Sequence, residues 1–124
     1  MYGMIRVENN ACVTLKNLWI QCDQERLNAI SCKSGSKVTL SNVVVQNNLA
    51  EGDVYPVLYV DGNAELNLEN VTVMENENIT HRLYVENGNV SMNNCDFRDC
   101  RVVLIKAELS GDDVKIFYLQ FKCV

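Results

Sequence analysis

The sequence of 124 residues is poor in several residue types, with one proline, one histidine and three phenylalanines. No CxxC pair occurs, and His81 has no second histidine or cysteine nearby, so a zinc site is not expected. We therefore expect neither a metal nor a cofactor. Asparagine and valine are abundant instead, which favours β-structure with many tight turns.

The chain also lacks a cluster of lysine or arginine, and its formal net charge is −5. A phosphate backbone would be repelled on average, which argues against nucleic acid as a partner. No apolar run approaches the roughly 18 residues that a membrane helix needs. The opening residues, MYGMIRVENN, lack the apolar core of a signal peptide. We expect no membrane span.

One short pattern recurs: apolar, any residue, asparagine, apolar, any residue, apolar. It occurs as LKNLWI from Leu15, LSNVVV from Leu40, LENVTV from Leu68 and MNNCDF from Met92. A fifth copy, IFYLQF from Ile116, has Tyr118 in place of the asparagine. The steps between copies are 25, 28, 24 and 24 residues, and a period in this range is typical of a solenoid.

Apolar residues alternate within each copy as they do in strands, and a further short strand precedes each copy. These further strands read MIRV, AISC, VLYV, RLYV and VVLI. Three strands per repeat with asparagine at one corner predict an all-β fold, a parallel β-helix of about five coils. Asparagine suits the corner because it tolerates a left-handed backbone. Stacked coils would form a buried amide ladder with a spacing of about 4.8 Å, made by Asn17, Asn42, Asn70 and Asn94.

This pattern resembles the right-handed parallel β-helix proteins of the pectin-lyase-like superfamily, and the resemblance covers essentially the whole chain. It implies a single-stranded, right-handed solenoid. It implies little about function, because that superfamily holds lyases, hydrolases, adhesins, tailspikes and intracellular scaffolds. The calcium-binding aspartates of the lyases, with their accompanying basic residue, are absent from this sequence.

Residues 1–124 are expected to form one β-helix domain, or a segment of a longer one, because neither end shows a polar cap. Such open ends predict self-association. The assumed register also predicts which residues of the fifth coil point inward: Val103, Ile105, Val114, Ile116, Leu119 and Phe121.

The six cysteines do not form an obvious set of pairs. Cys32 and Cys95 fall on inward positions of different strands, so they are interpreted as small core residues. Cys100 and Cys123 lie on neighbouring coils, and whether they pair stays open. Mostly free thiols weakly favour a reducing compartment. Asn70 begins one of three N-x-S/T sequons, and burial in the ladder would make it unavailable to a glycan.

An enzyme hypothesis centres on Asp61 and Glu86, which occupy equivalent places on adjacent coils. Their carboxyl groups could approach to about 5 to 6 Å, near the separation that retaining glycosidases use. Arg82 could neutralise substrate charge, and Tyr59 with Tyr84 could stack on sugar rings. The alternative is that both acids open exposed turns flanked by Lys33 and Lys106, since alternating charge is common on sheet surfaces, and we favour it.

A binding hypothesis uses the same face. Apolar and aromatic residues would form an exposed patch edged by Arg6 and Arg82: Val57, Tyr59, Tyr84, Val102 and Leu104. A smaller strip consists of Trp19, Val44 and Met74, of which Trp19 is expected to be buried. Simple covering of the sheet by the tyrosines is an equal alternative.

The sequence thus favours a non-catalytic interaction or scaffold module. It would bind a protein or a glycan through its first-strand face, or another copy of itself through its open ends. A fragment of a polysaccharide-active enzyme that uses Asp61 and Glu86 is the second hypothesis. A structural spacer in a larger assembly is the third.

Overall fold

The computed structural model describes residues 2–22, 27–47, 57–74 and 81–122, and every regular element in these ranges is a β-strand. The strands are β1 Tyr2–Val7, β2 Cys12–Cys22, β3 Leu27–Cys32, β4 Lys37–Asn47, β5 Leu58–Val60, β6 Ala64–Met74, β7 His81–Val85, β8 Gly88–Asn93, β9 Cys95–Ile105, β10 Ala107–Ser110 and β11 Val114–Lys122. Every strand pair is parallel. Within the described ranges, no helix is long and apolar enough to cross a bilayer.

The pairings form three ladders, each made of strands that are one repeat apart in sequence. The first ladder runs β1, β3, β5, β7 and the C-terminal halves of β9 and β11. The second runs through the N-terminal halves of β2, β4 and β6 to β8 and β10. The third runs through the C-terminal halves of β2, β4 and β6 to the N-terminal halves of β9 and β11. The fold is therefore all-β with parallel strands.

An asparagine separates the second ladder from the third in four successive repeats. Asn17, Asn42, Asn70 and Asn94 all have a left-handed backbone, with φ between 52° and 57°. This conformation turns the chain by one corner, and asparagine tolerates it better than most residues. The alternation of buried and exposed residues along β6 is interrupted at this corner, where two consecutive residues, Glu69 and Asn70, are exposed to solvent.

The four asparagine side chains are joined by amide hydrogen bonds. Asn42 donates to Asn17 at 2.8 Å, Asn70 to Asn42 at 3.1 Å, and Asn94 to Asn70 at 3.3 Å. All four are exposed, so the predicted burial of the ladder is wrong, and burial does not shield Asn70.

The core consists of the inward residues of all three ladders. In the second and third repeats these side chains are almost completely inaccessible: Ile30, Cys32, Val38, Leu40, Val43, Val45, Leu58, Val60, Leu66, Leu68, Val71 and Val73. Fully burying a side chain such as leucine contributes about 1.5–3 kcal/mol relative to exposure. This burial comes from packing of the inward side chains of the paired strands against one another.

The fifth repeat is shorter than the sequence pattern predicts. Ala107 pairs with Gly88 and Val114 pairs with Cys95, so the step falls to 19 residues. Asp113, with φ 55°, therefore occupies the corner position that was assigned to Tyr118. The second strand of this repeat is β10 rather than the copy that begins at Ile116. The apolar frame of IFYLQF suggested the wrong alignment because aspartate also adopts the left-handed conformation.

Candidate binding face on the first ladder

The first-strand face is built from two columns of side chains on the first ladder. The outward column follows the strand register and contains Arg6, Ser31, Tyr59, Tyr84 and Val103. The second column begins the turns that follow these strands and contains Glu8, Lys33, Asp61 and Glu86. Backbone hydrogen bonds from Lys33 to Val7, from Asp61 to Cys32 and from Glu86 to Val60 keep this column in line.

The Tyr59 ring is held between two neighbours. It stacks on Tyr84 of the following strand, with ring centroids 5.9 Å apart and planes only 3° from parallel. From the preceding repeat, the Lys33 ammonium lies 5.4 Å from the Tyr59 ring centroid, within the range of a cation–π interaction. Both faces of this ring are thus used within the chain, which leaves its edge and its hydroxyl for contact with a ligand.

The Tyr59 hydroxyl lies between the two acidic residues of the second column. Its oxygen is 2.8 Å from Glu86 Oε2 and 3.3 Å from Asp61 Oδ2. Because the hydroxyl has a single proton, Glu86 is the better acceptor at these distances. The Gly62 amide donates to Asp61 Oδ1 at 2.7 Å, which fixes the orientation of that carboxylate. The two carboxylates are therefore close together and held by the fold.

This environment raises the pKa of Tyr59 above its ordinary value. Partial burial disfavours the phenolate, and the hydrogen bond to Glu86 and the negative charges of Asp61 and Glu86 act in the same direction. Tyr59 is therefore a neutral donor at physiological pH. It is a poor acid and, with no phenolate, a poor nucleophile.

One end of the face carries an ion pair and a buried hydroxyl. Arg6 Nη2 lies 2.8 Å from Glu8 Oε2, and both side chains are partly exposed, so the pair contributes little to stability. Ser31 lies in the column between Arg6 and Tyr59 and is fully buried. Among the described residues, its Oγ has no hydrogen-bond partner.

The apolar part of the predicted patch is absent, so that prediction is wrong. Val57, Val102 and Leu104 are buried in the core, with at most 1% exposure. Leu83 pairs with Val102 and Val85 with Leu104, so β9 aligns one residue earlier than the sequence suggested. Val103 therefore follows Tyr84 in the outward column, although it too is buried.

The same shift moves Lys106 out of the second column. Ile105 rather than Lys106 follows the last inward residue of β9, and Lys106 is a turn residue with φ 46°. Trp19 is 63% exposed in this chain, so its predicted burial would require a flanking segment or a second copy. Met74 is exposed and Val44 is half-buried. The Arg82 side chain lies outside the described residues.

The geometry of the acidic pair differs from that of a retaining glycosidase in one respect. In a retaining glycosidase, the scissile oxygen and the reacting carbon lie between the two carboxyl groups. Here the Tyr59 hydroxyl occupies that space, within hydrogen-bonding distance of both carboxylates. Tyr59 already stacks on Tyr84 and contacts the Lys33 ammonium, so a sugar ring would have to displace one of these neighbours to stack on it.

The described cysteines are free thiols. Cys32 and Cys95 are buried, as the repeat predicts, whereas Cys12 is exposed. Burial raises the pKa of the Cys32 thiol to about 12, and burial also raises that of Cys95. The possible pair of Cys100 and Cys123 lies outside the described side chains. Within the described segments, no group of three or more histidine, cysteine or acidic residues is arranged to hold a metal ion.

Comparison with protein families, curated protein sequences and solved structures finds no match to this chain. The function must therefore be argued from the geometry of the chain itself.

Sequence reasoning placed the acids side by side but missed the group between them. The signal was present in the repeated LYVD and LYVE that begin at Leu58 and Leu83. A tyrosine two residues before an acid points to the same side of a strand as that acid. Reading both copies together would have placed one hydroxyl beside two carboxylates.

Proposed function

We propose that this chain is a right-handed parallel β-helix that acts as a non-catalytic interaction module and binds a basic segment of a partner protein through its first-strand face. Three features support the β-helix: the three parallel ladders, the column of left-handed asparagines and the inward apolar residues. The right hand is the strong preference of parallel strands joined by crossover connections.

The observation that carries the binding role is the Tyr59 hydroxyl between two fixed, accessible carboxylates. Asp61 is half-buried and Glu86 is exposed, so both can accept hydrogen bonds from a ligand. A guanidinium group matches such acceptors because it donates from a planar fork and is weakly hydrated. The net charge of −5 would also attract a basic partner from a distance.

The test uses a short peptide with two arginines, and the same peptide with citrulline in their place. Calorimetric titration should show binding of the arginine peptide and weaker binding of the citrulline peptide. The double variant Asp61→Asn with Glu86→Gln should weaken binding by at least about tenfold, which corresponds to 1.4 kcal/mol.

The matched control is Glu65→Gln with Glu69→Gln, which removes the same charge from exposed positions on the second ladder. It should leave the affinity within about twofold. Equal losses in both double variants would mean non-specific attraction. That result, or no binding by the unmodified chain, would overturn the proposal.

A second candidate is self-association through the end formed by β1 and β2. Leu18 is 42% exposed, whereas Val43, its partner in the next strand, is 1% exposed. Trp19 beside it is the most exposed of the large apolar residues that the structure describes. Among the described strands, both also stand at the ends of the pairing order, so each has one edge without a described partner strand.

The occupant of this end would be a second copy of the chain. The charged residues of β1, β2 and the turn between them are Arg6, Glu8 and Lys16, so this end carries a net positive charge in an acidic chain. Because this net charge is only one unit per copy, two such ends repel each other less than two copies of the acidic remainder of the chain would. Sedimentation should show a concentration-dependent dimer that Leu18→Lys dissociates and Met74→Lys preserves. A monomer at all concentrations would exclude it.

A further inference from the structure

A shallow groove lies on the outward side of the second ladder, away from the first-strand face. It has a volume of about 310 Å³, and its polar lining comes from three successive repeats: Glu65, Asn67, Asn89, Ser91, Glu108 and Ser110. The floor is low because Asn89 and Ser91 are short side chains. In the column that contains Asn89, the longer Glu65 and Glu108 stand on either side.

A second cavity of about 410 Å³ adjoins the groove and shares Asn89 and Glu108 with it. Its cause is a change in turn length between the first and second ladders. Three residues, 61–63, connect Val60 to Ala64, but only two connect Val85 to Gly88 and Leu104 to Ala107. The two-residue turns at 86–87 and 105–106 are therefore set back relative to the turn at 61–63. This recess extends the groove around the corner between the first and second ladders.

The side chains of the groove have few partners of their own. Glu65 lies 3.9 Å from Lys37, at the limit of an ion pair. Among the described residues, the side chains of Asn67, Asn89 and Ser91 make no hydrogen bond within the chain. Their amide and hydroxyl groups both donate and accept, and neighbouring strands space them about 4.8 Å apart. The groove thus offers a regular array of hydrogen-bonding groups on a rigid sheet.

We propose that this groove binds a neutral oligosaccharide. The lining is too polar for an apolar ligand, and its amides and hydroxyls match the mixed donors and acceptors of sugar hydroxyl groups. The carboxylates of Glu65 and Glu108 can accept from hydroxyl groups and repel anions. The site therefore discriminates by charge: it accepts uncharged sugars and rejects uronates.

The test titrates the labelled chain with cellohexaose, maltohexaose and a hexagalacturonate, followed by NMR of the backbone amides. At least one neutral hexaose should shift the amides of residues 89–91 and 108–110 and saturate with a Kd at or below about 1 mM. The hexagalacturonate should cause no saturable shift. Failure of both neutral sugars, or equal binding of the uronate, would overturn the proposal.

The variant Asn89→Ala with Ser91→Ala should weaken sugar binding by about tenfold, because two buried hydrogen bonds to the ligand are lost. Its control is Thr39→Ala with Ser41→Ala, which removes two hydroxyl groups from the same ladder outside the groove. Unchanged affinity in the groove variant would contradict the assignment. A folded amide spectrum in both variants separates loss of binding from loss of structure.

Discussion

At the scale of single residues, one hydroxyl organises the first-strand face. The Tyr59 oxygen contacts the carboxylates of Asp61 and Glu86, and its ring lies between Lys33 and Tyr84. The contacts of Tyr59 with Lys33, Tyr84 and Glu86 join neighbouring repeats, whereas its contact with Asp61 lies within one repeat. The face is therefore a product of stacking and would not exist in an isolated repeat.

The raised pKa of Tyr59 makes the stability of the chain depend on alkaline pH. An unfolded tyrosine ionises near its ordinary pKa of about 10, whereas folded Tyr59 ionises later. At a pH between these two pKa values, Tyr59 is ionised only in the unfolded chain, so its ionisation stabilises the unfolded state. This contribution to stability is therefore fully present below about pH 10 and is lost as the pH rises above it.

When the pH is raised from neutral to above about 10, the free energy of unfolding should fall less for Tyr59→Phe than for the unmodified chain. Denaturant unfolding at a series of pH values measures this difference. Ultraviolet titration of tyrosinate should show a component that ionises late, and the substitution should remove that component. Parallel titration curves for the two proteins would contradict the role of the hydroxyl.

At the scale of elements, the asparagine corner decides where each long strand bends. Asn42 combines a left-handed backbone, with φ 54°, and two ladder hydrogen bonds. These two contributions can be separated by substitution, because glycine keeps the backbone conformation and loses only the amide.

Asn42→Gly should lower the free energy of unfolding by about 1–2 kcal/mol, and Asn42→Ala by about 2–4 kcal/mol. The difference measures the strain of a left-handed alanine. Asn67→Ala serves as the control, since this strand residue lacks both features, and should change stability by less than about 0.5 kcal/mol. Equal effects at positions 42 and 67, measured by urea unfolding, would show that the left-handed backbone and ladder hydrogen bonds of Asn42 do not add to the stability of the chain.

The shortened fifth repeat makes a separate prediction at Gly111. This residue has φ 117°, and a side-chain methyl group there would collide with the backbone carbonyl of Met92. Gly111→Ala should therefore destabilise the chain by about 2–4 kcal/mol, whereas the exposed neighbour Ser110→Ala should have little effect. A neutral Gly111→Ala would mean that β10 does not pair with β8 as described.

At the scale of the whole molecule, the sequence predicted the all-β class and the parallel stacking of the first four repeats. It could do so because buried strands need apolar residues at alternate positions, and left-handed corners favour asparagine. It failed at the fifth repeat because Asp113 replaces the asparagine and two alignments fit the apolar pattern. The one-residue error in β9 then exchanged buried and outward positions, which removed Val102 and Leu104 from the candidate site.

The candidate site, too, was predicted from the sequence only in part. The pairing of Asp61 with Glu86 follows from the repeat period alone. The position of the Tyr59 hydroxyl depends on side-chain conformation and on Lys33 and Tyr84 in the neighbouring repeats, which a linear pattern does not specify. The exposure of Trp19 was also not predicted, since the apolar pattern does not specify what covers an outward side chain.

The most direct test of the proposed interaction role is NMR mapping of the arginine peptide on the labelled chain. The expected result is a saturable shift of the amides of Tyr59, Asp61, Tyr84 and Glu86, with little change on the second ladder. Shifts spread evenly over the acidic surface, or centred on Glu65 and Glu69, would contradict the claim that the first-strand face is the binding site.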